Sequence, residues 1–272
     1  MSLDIEELEG IVEGELSVEA QKEARWKADR SGKITASPSI KIMKGTAKEY
    51  FSKTAVSELY FNKFERRTGR TRTETKCFAF DFGHENEPFA LEKYREENPD
   101  VIVKSCSEDF DDIVFVVPEE FDGKFGDSPD AYIYNREGVM TAVAEVKCNV
   151  SEAKFESLRD IKVINDKHEY WWQFIAHLTC HPLVNRLVWI NYCPTSDELH
   201  CVELLRSDCL DAISEFTRKI KLANEWIDMC IADESLVFSD INKWCKEKAE
   251  AIKILSEGEK SGFLESDGCS VI

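Results

Sequence analysis

Gly126-Asp-Ser-Pro-Asp130-Ala-Tyr-Ile-Tyr134, followed a few residues later by Ala144-Glu145-Val146-Lys147-Cys148, is the stretch that decides how this chain folds. Between the two blocks, Asn135-Arg-Glu-Gly138 supplies turn chemistry, and Val139–Lys147 is a run of β-branched and apolar residues. The segment therefore predicts a β-hairpin. Asp130 heads one strand, and Glu145 and Lys147 stand near the end of the next. Side chains two apart on a strand share a face, so Glu145 and Lys147 lie together while Val146 points away. Two carboxylates and an ammonium can thus meet at one point. Carboxylate oxygens suit Mg2+, which takes one or two of them and fills its octahedron with water and phosphate oxygens. A lysine beside them can orient water or offset charge developing at phosphorus. A surface hairpin carrying a Glu–Lys pair is the alternative at this level.

The chain has 272 residues, 43% of them hydrophobic, enough to bury one sizeable core. The expected organisation is an acidic leader over 1–19, a single domain over 20–257 and a tail over 258–272. No apolar run reaches the ~18 residues that span a bilayer. The acidic N-terminus lacks the basic-then-apolar pattern of a signal peptide. Ten cysteines are scattered without a C-x-x-C pair, as small hydrophobes in a reducing compartment. The expected location is cytoplasmic, in the bacterial host if the chain is phage-encoded. A net charge of −18 argues against nucleic acid as a partner, but the distribution of charge argues the other way. Residues 1–19 carry seven acids and no base, whereas residues 20–76 carry fifteen Lys/Arg against six acids. A basic segment within an acidic body can form a phosphate-binding surface whose walls limit where DNA docks.

Helices are expected over Val18–Asp29, Ala47–Thr68, Phe78–Asn98, Glu152–Ile161, Asp166–Cys180, Asp208–Ala232 and Ser239–Glu257. In the second of these, Phe51, Ala55, Leu59 and Phe61 should face a core and Lys63, Arg66 and Arg67 the outside. Strands are expected at Val101–Val103, Ile113–Val117, Leu187–Tyr192 and Leu199–Leu204, with a solvated acidic turn at Glu108–Asp112. Ser37 precedes Pro38, which suits the first helical turn, so Ser37 is placed like an N-cap. Backbone donors at that helix start, a hydroxyl and nearby Arg30 could hold an anion. Tyr170, Gln173 and His177 fall on one helical face, where a polar Gln173 calls for a partner.

The order of these pieces resembles the PD-(D/E)xK nucleases, in the branch of phage lambda exonuclease and the YqaJ-type viral recombinases. The resemblance runs from about Arg25 to Val202. It is carried by Arg30-Ser-Gly-Lys-Ile-Thr-Ala-Ser37, Gly83-His-Glu-Asn-Glu87-Pro-Phe-Ala90, Ser128-Pro-Asp130, Glu145-Val-Lys147-Cys and Tyr170-Trp-Trp-Gln173. Each block is short, but five in order form a specific signal. Ala131 departs from the glycine usual after Ser-Pro-Asp, and its methyl matters only if φ is positive there.

The resemblance implies a restriction-endonuclease-like α/β (α+β) core, a central mixed sheet flanked by helices with the site at the strand ends. It also implies metal-assisted hydrolysis of phosphodiesters at the ends of linear double-stranded DNA, 5′→3′, in phage-type recombination or repair. Asp130, Glu145 and the Val146 carbonyl would hold Mg2+. Glu87 would serve a second ion or its water, and Mn2+ could substitute. Lys147 would orient the attacking water, Gln173 would support Lys147 or the phosphate, and Arg30, Thr35 and Ser37 would recognise a 5′-phosphate. A homotrimeric ring and a single-strand annealing protein are the implied partners. Two other functions are open: an iron–sulfur nuclease linked to a helicase or CRISPR system, and a catalytically inactive DNA-end-binding module. The late cysteines lack the close spacing that a cluster needs, and intact Glu87, Asp130, Glu145 and Lys147 exceed what end binding requires.

Overall fold

The structure, a computed structural model, describes residues 17–45, 49–72 and 78–250. The leader expected over 1–19 and the tail over 258–272 thus lie almost wholly outside the described residues. The centre of the fold is a five-stranded mixed sheet in the order β2-β4-β5-β6-β7. Its strands are β2 (Ile102–Ser105), β4 (Ala131–Tyr134), β5 (Met140–Cys148), β6 (Arg186–Cys193) and β7 (Glu198–Leu205). The predicted hairpin is present. β4 and β5 run antiparallel with Ala131 opposite Ala144, and the Gly138 amide closes the turn onto the Asn135 carbonyl at 3.0 Å. Gly138 takes φ 78°, a conformation costly for a residue with a Cβ. β5 then pairs in parallel with β6 from Ala142–Arg186 to Cys148–Tyr192. A parallel neighbour requires a crossover, and α5 (Glu152–Arg159) and α6 (Trp171–Cys180) supply it. β7 returns antiparallel to β6 as expected.

Strand alternation sorts the core into two layers. Ala131, Ile133, Ala142, Ala144, Val146, Val188 and Ile190 pack under Ala90, Leu91 and Tyr94 of the long helix α4 (Phe78–Glu97). Tyr132, Val143, Leu187 and Trp189 face the other way, into a larger core with α2 (Ala36–Met43), α3 (Lys53–Thr68), α6 and α7 (Leu210–Ala232). α6 is buried at every position but Trp172. Burial of side chains such as Phe174, Ile175 and Leu178 stabilises it by about 1.5–3 kcal/mol each.

α1 (Val18–Arg30) and a two-stranded parallel sheet complete the arrangement. In that sheet β1 (Ile34–Thr35) pairs with β3 (Phe125–Gly126), setting Thr35 beside Gly126. A Cβ on Gly126 would fall 2.3 Å from the Phe115 ring, so a larger residue there would require that ring to move.

Several expectations are corrected. Ile113–Val117 forms no strand: Val116 alone makes a bridge, to Asp127, because β2 already occupies the free edge of β4. α3 starts at Lys53 rather than Ala47, where Ser52 caps it by accepting from the Ala55 amide. α6 starts at Trp171 rather than Asp166, since 165–170 form turns. The N-cap of α2 is Thr35, not Ser37, so Pro38 is the third helical residue. Phe61 is exposed, whereas Arg66 is largely buried. Of the basic segment over 20–76, residues 46–48 and 73–76 lie outside the described residues.

Candidate active site

Asp130 sits in the residue before β4 begins. Its own amide donates to Ala144 O at 3.1 Å, and its carbonyl accepts from Cys106 at 2.9 Å, so the backbone is fixed from both sides. Its Oδ2 accepts from the Val146 amide at 2.6 Å. Beyond the Ala131–Ala144 pair β4 has no residue to offer β5, and the Asp130 carboxylate takes the vacant ladder position. The N–H and C=O of one strand residue point the same way, so the Val146 carbonyl also faces the Asp130 side.

Glu145 and Lys147 share the face that looks onto α6, as the alternation requires. Glu145 Oε1 accepts from Lys147 Nζ and, at 2.6 Å, from Gln173 Nε2. Gln173 is buried, and this bond is the partner its position on an apolar face called for. Lys147 Nζ also lies 4.9 Å from the centroid of the Tyr170 ring. Glu87 enters from α4 on the opposite face, with His84 Nδ1 3.8 Å from its Oε2. The sequence-predicted Asp130, Glu145, Val146, Lys147, Glu87 and Gln173 are therefore brought to one end of the sheet.

The charges there are unbalanced. Burial, reinforced by the Glu145 and Glu87 charges, raises the Asp130 carboxyl well above the ordinary carboxylate range, against the pull of Lys147 and the Val146 amide. Burial would also raise Glu145, but the Lys147 and His177 charges prevail and lower it. Lys147 is driven up because Glu145 and Asp130 outweigh its desolvation. A divalent cation between Asp130 and Glu145 would relieve this repulsion. Among the described residues no group of three or more His, Cys, Asp or Glu side chains is placed to hold a metal ion. Mg2+ takes only one or two carboxylates, which the Asp130 and Glu145 pair can supply, and fills its octahedron with water and phosphate oxygens. The donor set therefore fits.

Sequence reasoning missed the other half of the Glu145 environment. His177, one turn after Gln173 on α6, places Nε2 2.8 Å from Glu145 Oε2 and Nδ1 2.8 Å from Asp127 Oδ2. Asp127 is fully buried, and His181 Nε2 shares its Oδ2 at 3.1 Å. Both ring nitrogens of His177 face carboxylate oxygens, and only the doubly protonated ring can serve both. Burial alone would depress its pKa, yet Asp127 and Glu145 push it up to about 10. His177 was visible as a face-mate of Gln173, but nothing in the sequence linked it to Asp127.

The Arg30–Ser37 block lies against the same end of the molecule. Trp26 Nε1 donates to Ser128 Oγ at 3.2 Å, and the Arg30 guanidinium stacks 4.0 Å above the Trp26 ring. Thr35 is buried, and Ser37 is exposed in the first turn of α2. The turn between Arg30 and Thr35 is clamped from α3. Glu65 Oε2 accepts from the Gly32 amide at 3.1 Å, and Arg66 Nε donates to the Gly32 carbonyl at 2.6 Å. Other bases of the segment are also engaged internally, Arg72 with Glu58 and Glu65, while Arg67 and Arg70 are exposed. The eight described cysteines are all free thiols. Among the described residues no helix is long and apolar enough to cross a membrane.

The fold is shared with solved exonuclease structures. The alkaline exonuclease LHK-Exo of Laribacter hongkongensis superposes with a TM-score of 0.60 at 22% identity, over 84% of this chain and 99% of that one. Its complex with dAMP gives 0.57 at the same identity and coverage. A phage-related exonuclease from Haemophilus somnus 129PT gives 0.51 at 14% identity, over 74% of this chain and 95% of that one. No functionally curated protein matches the chain in sequence. The model of the YqaJ-like viral recombinase domain matches residues 25–181, which include every site residue from Arg30 to His177. With more than half of its length in that match, the chain belongs to the YqaJ-like viral recombinase domain family.

Proposed function

We propose that this protein is a divalent-metal-dependent exonuclease that degrades linear double-stranded DNA 5′→3′ in phage-type recombination. One observation carries the reading: Asp130, Glu145, Lys147, Glu87 and Gln173 converge at one end of the sheet around an excess of buried negative charge. Asp130, Glu145 and the Val146 carbonyl would hold Mg2+, with Glu87 serving a second ion. Mn2+ would substitute. A bound ion would acidify water and stabilise charge on the scissile phosphate. Lys147 orients the attacking water and balances the carboxylates. Gln173 holds the Glu145 oxygen that also takes Lys147. Arg30, Thr35 and Ser37 receive the terminal 5′-phosphate. LHK-Exo, which shares the fold, forms a complex with dAMP, and a mononucleotide is the product that end-wise digestion would release here.

A ring-shaped homotrimer acting with a single-strand annealing protein, in the bacterial cytoplasm, completes the proposal. The exposed bases of the 20–76 segment would face the DNA. The test is incubation of the purified protein with linear duplexes bearing 5′-phosphate or 5′-hydroxyl ends, in Mg2+ or EDTA. Mononucleotide release from the 5′ end in Mg2+ alone is expected. Cleavage in EDTA, or release from the 3′ end, would refute the assignment. Light scattering that shows a monomer during processive digestion would remove the ring.

A further inference from the structure

Glu145 has two differently held oxygens. Oε1 accepts from Lys147 and Gln173. Oε2 points inward to His177, whose ring is only 1% exposed. The contact with Oε2, at 2.8 Å, is an ion pair rather than a well-angled hydrogen bond. A carboxylate on a two-carbon stem has two soft torsions and a nearly free rotation about its last bond. Lys147 and Gln173 hold Oε1, and the His177 ring holds Oε2 from the other side.

The ring on Oε2 is itself held. His177 Nδ1 meets Asp127 Oδ2 at 2.8 Å, and Asp127 is 0% exposed. The Asp127 backbone is pinned in turn: its amide donates to Val116 O at 2.8 Å, and its carbonyl accepts from the Val116 amide at 2.7 Å. A buried carboxylate is costly unless ionic and hydrogen-bonded partners repay its desolvation. A fully buried Asp–His pair that ends on a site carboxylate is therefore not accounted for by core packing.

We propose that His177, held by Asp127, is a positioning residue that anchors Glu145 Oε2 and so presents Oε1 to the divalent cation. This rests on the metal-dependent nuclease reading above. Partners that orient a metal-binding group typically change metal affinity or activity by about 10–100-fold when removed.

The experiment compares wild type, His177→Ala and Asp127→Asn by Mn2+ binding in electron paramagnetic resonance titrations. Single-turnover digestion of a 5′-phosphorylated duplex, DNA affinity in Ca2+ and thermal melting are measured on the same samples. Folded His177→Ala is expected to bind Mn2+ about tenfold or more weaker and to lose about 10–100-fold in cleavage rate. Its DNA affinity should be unchanged. Asp127→Asn keeps the shape but removes the anchoring charge, and is expected to move both readouts in the same direction by less. Wild-type Mn2+ affinity in a folded His177→Ala protein would overturn the proposal. So would failure of both variants to fold, which would make the pair a core element. A wild-type protein that neither binds Mn2+ nor cleaves DNA fails the functional reading itself, whereas normal wild-type behaviour with unaltered variants fails only the positioning role.

Discussion

The Val146 amide donates to Asp130 Oδ2 at 2.6 Å, so the carboxylate at the head of β4 completes the hydrogen-bond ladder of β5. It does so although burial and the Glu145 and Glu87 charges disfavour its ionised form. The geometry the site needs is thus held against an electrostatic cost in the free protein. Asp130→Asn removes the repulsion while keeping the shape, at the risk of an imperfect bond to Val146. Relief of about 1 kcal/mol in a domain of this size would raise the melting temperature by about 2–4 °C. The expected outcome is a metal-free variant at least as stable as wild type, with no cleavage. Mg2+ should raise the melting point of wild type and leave Asp130→Asn unmoved, because only a ligand that binds the folded state stabilises it. Melting curves in EDTA and in Mg2+ check both statements, and an equal Mg2+ shift in the two proteins would remove Asp130 as a ligand.

Gln173 is expected to matter more to rate than to DNA binding. Its bond to Glu145 is buried and charge-assisted, a class worth about 1.5–3 kcal/mol. Gln173→Ala leaves Glu145 Oε1 to Lys147 alone and removes one constraint on both. A loss of about 10–100-fold in single-turnover rate is expected, with unchanged affinity for DNA in Ca2+. A change confined to DNA affinity would place Gln173 on the substrate rather than on Glu145.

The hairpin was legible because turn residues and strand alternation are local, and the site residues on it followed from the period of two. Asp130, Glu145 and Lys147 needed no tertiary information to be placed together. Glu87 needed the family resemblance, since it looks like one acid among several on its helix, whereas Gln173 already stood out as a polar residue on an apolar face. Asp127 and His177 were illegible for a different reason. Their contact joins positions 50 apart, and a buried aspartate before Ser-Pro looks the same as a solvated one. α3 misled for the converse reason: it buries Glu58, Asn62 and Glu65. Glu58 and Glu65 bind Arg72, Glu65 also holds the Gly32 turn, and Phe61 is left outside with Arg72 5.1 Å from its ring centroid. A helix that carries ion pairs inward defeats a hydrophobic-face rule.

The buried histidine also predicts how stability depends on pH. The His177 pKa is raised from 6.5 to about 10, so its stabilisation is complete below about pH 6.5 and is lost as pH rises through about 10. Lys219, buried with its pKa lowered to about 8, works in the opposite direction, favouring the folded state as pH rises above 8. The two are separated by comparing wild type with His177→Phe, which fills the volume without a charge. Wild type should lose melting temperature relative to the variant between pH 7 and pH 10. Parallel curves over that range would show that His177 is not charged in the folded protein.

The proposed end recognition turns on Arg30. Its guanidinium stacks on Trp26, the Trp26 indole holds Ser128, and Ser128 lies two residues before Asp130. Thr35, beside Gly126 across the β1–β3 pair, lies opposite a residue four before Asp130. A terminal phosphate held by Arg30, the start of α2 and the Ser37 hydroxyl would thus be tied by short, rigid links to the carboxylate proposed to hold the metal. The N-cap correction strengthens this placement, because a helix beginning at Ala36 puts Ser37 within the first turn, where unpaired amides and a partial positive charge favour an anion. Guanidinium adds a planar fork matched to phosphate oxygens. A 5′-hydroxyl leaves these donors unmatched, at about 1–3 kcal/mol in the productive complex. Wild type should therefore digest 5′-phosphorylated duplex about 5–150-fold faster than 5′-hydroxyl duplex, the ratio that this energy implies. Arg30→Ala should slow the phosphorylated substrate most and erase much of the ratio. Arg30→Lys should restore charge but not the fork or the full stacking, and so recover the ratio only in part. If Arg30→Ala slows both substrates equally, Arg30 serves only to brace Trp26, and the phosphate is held elsewhere.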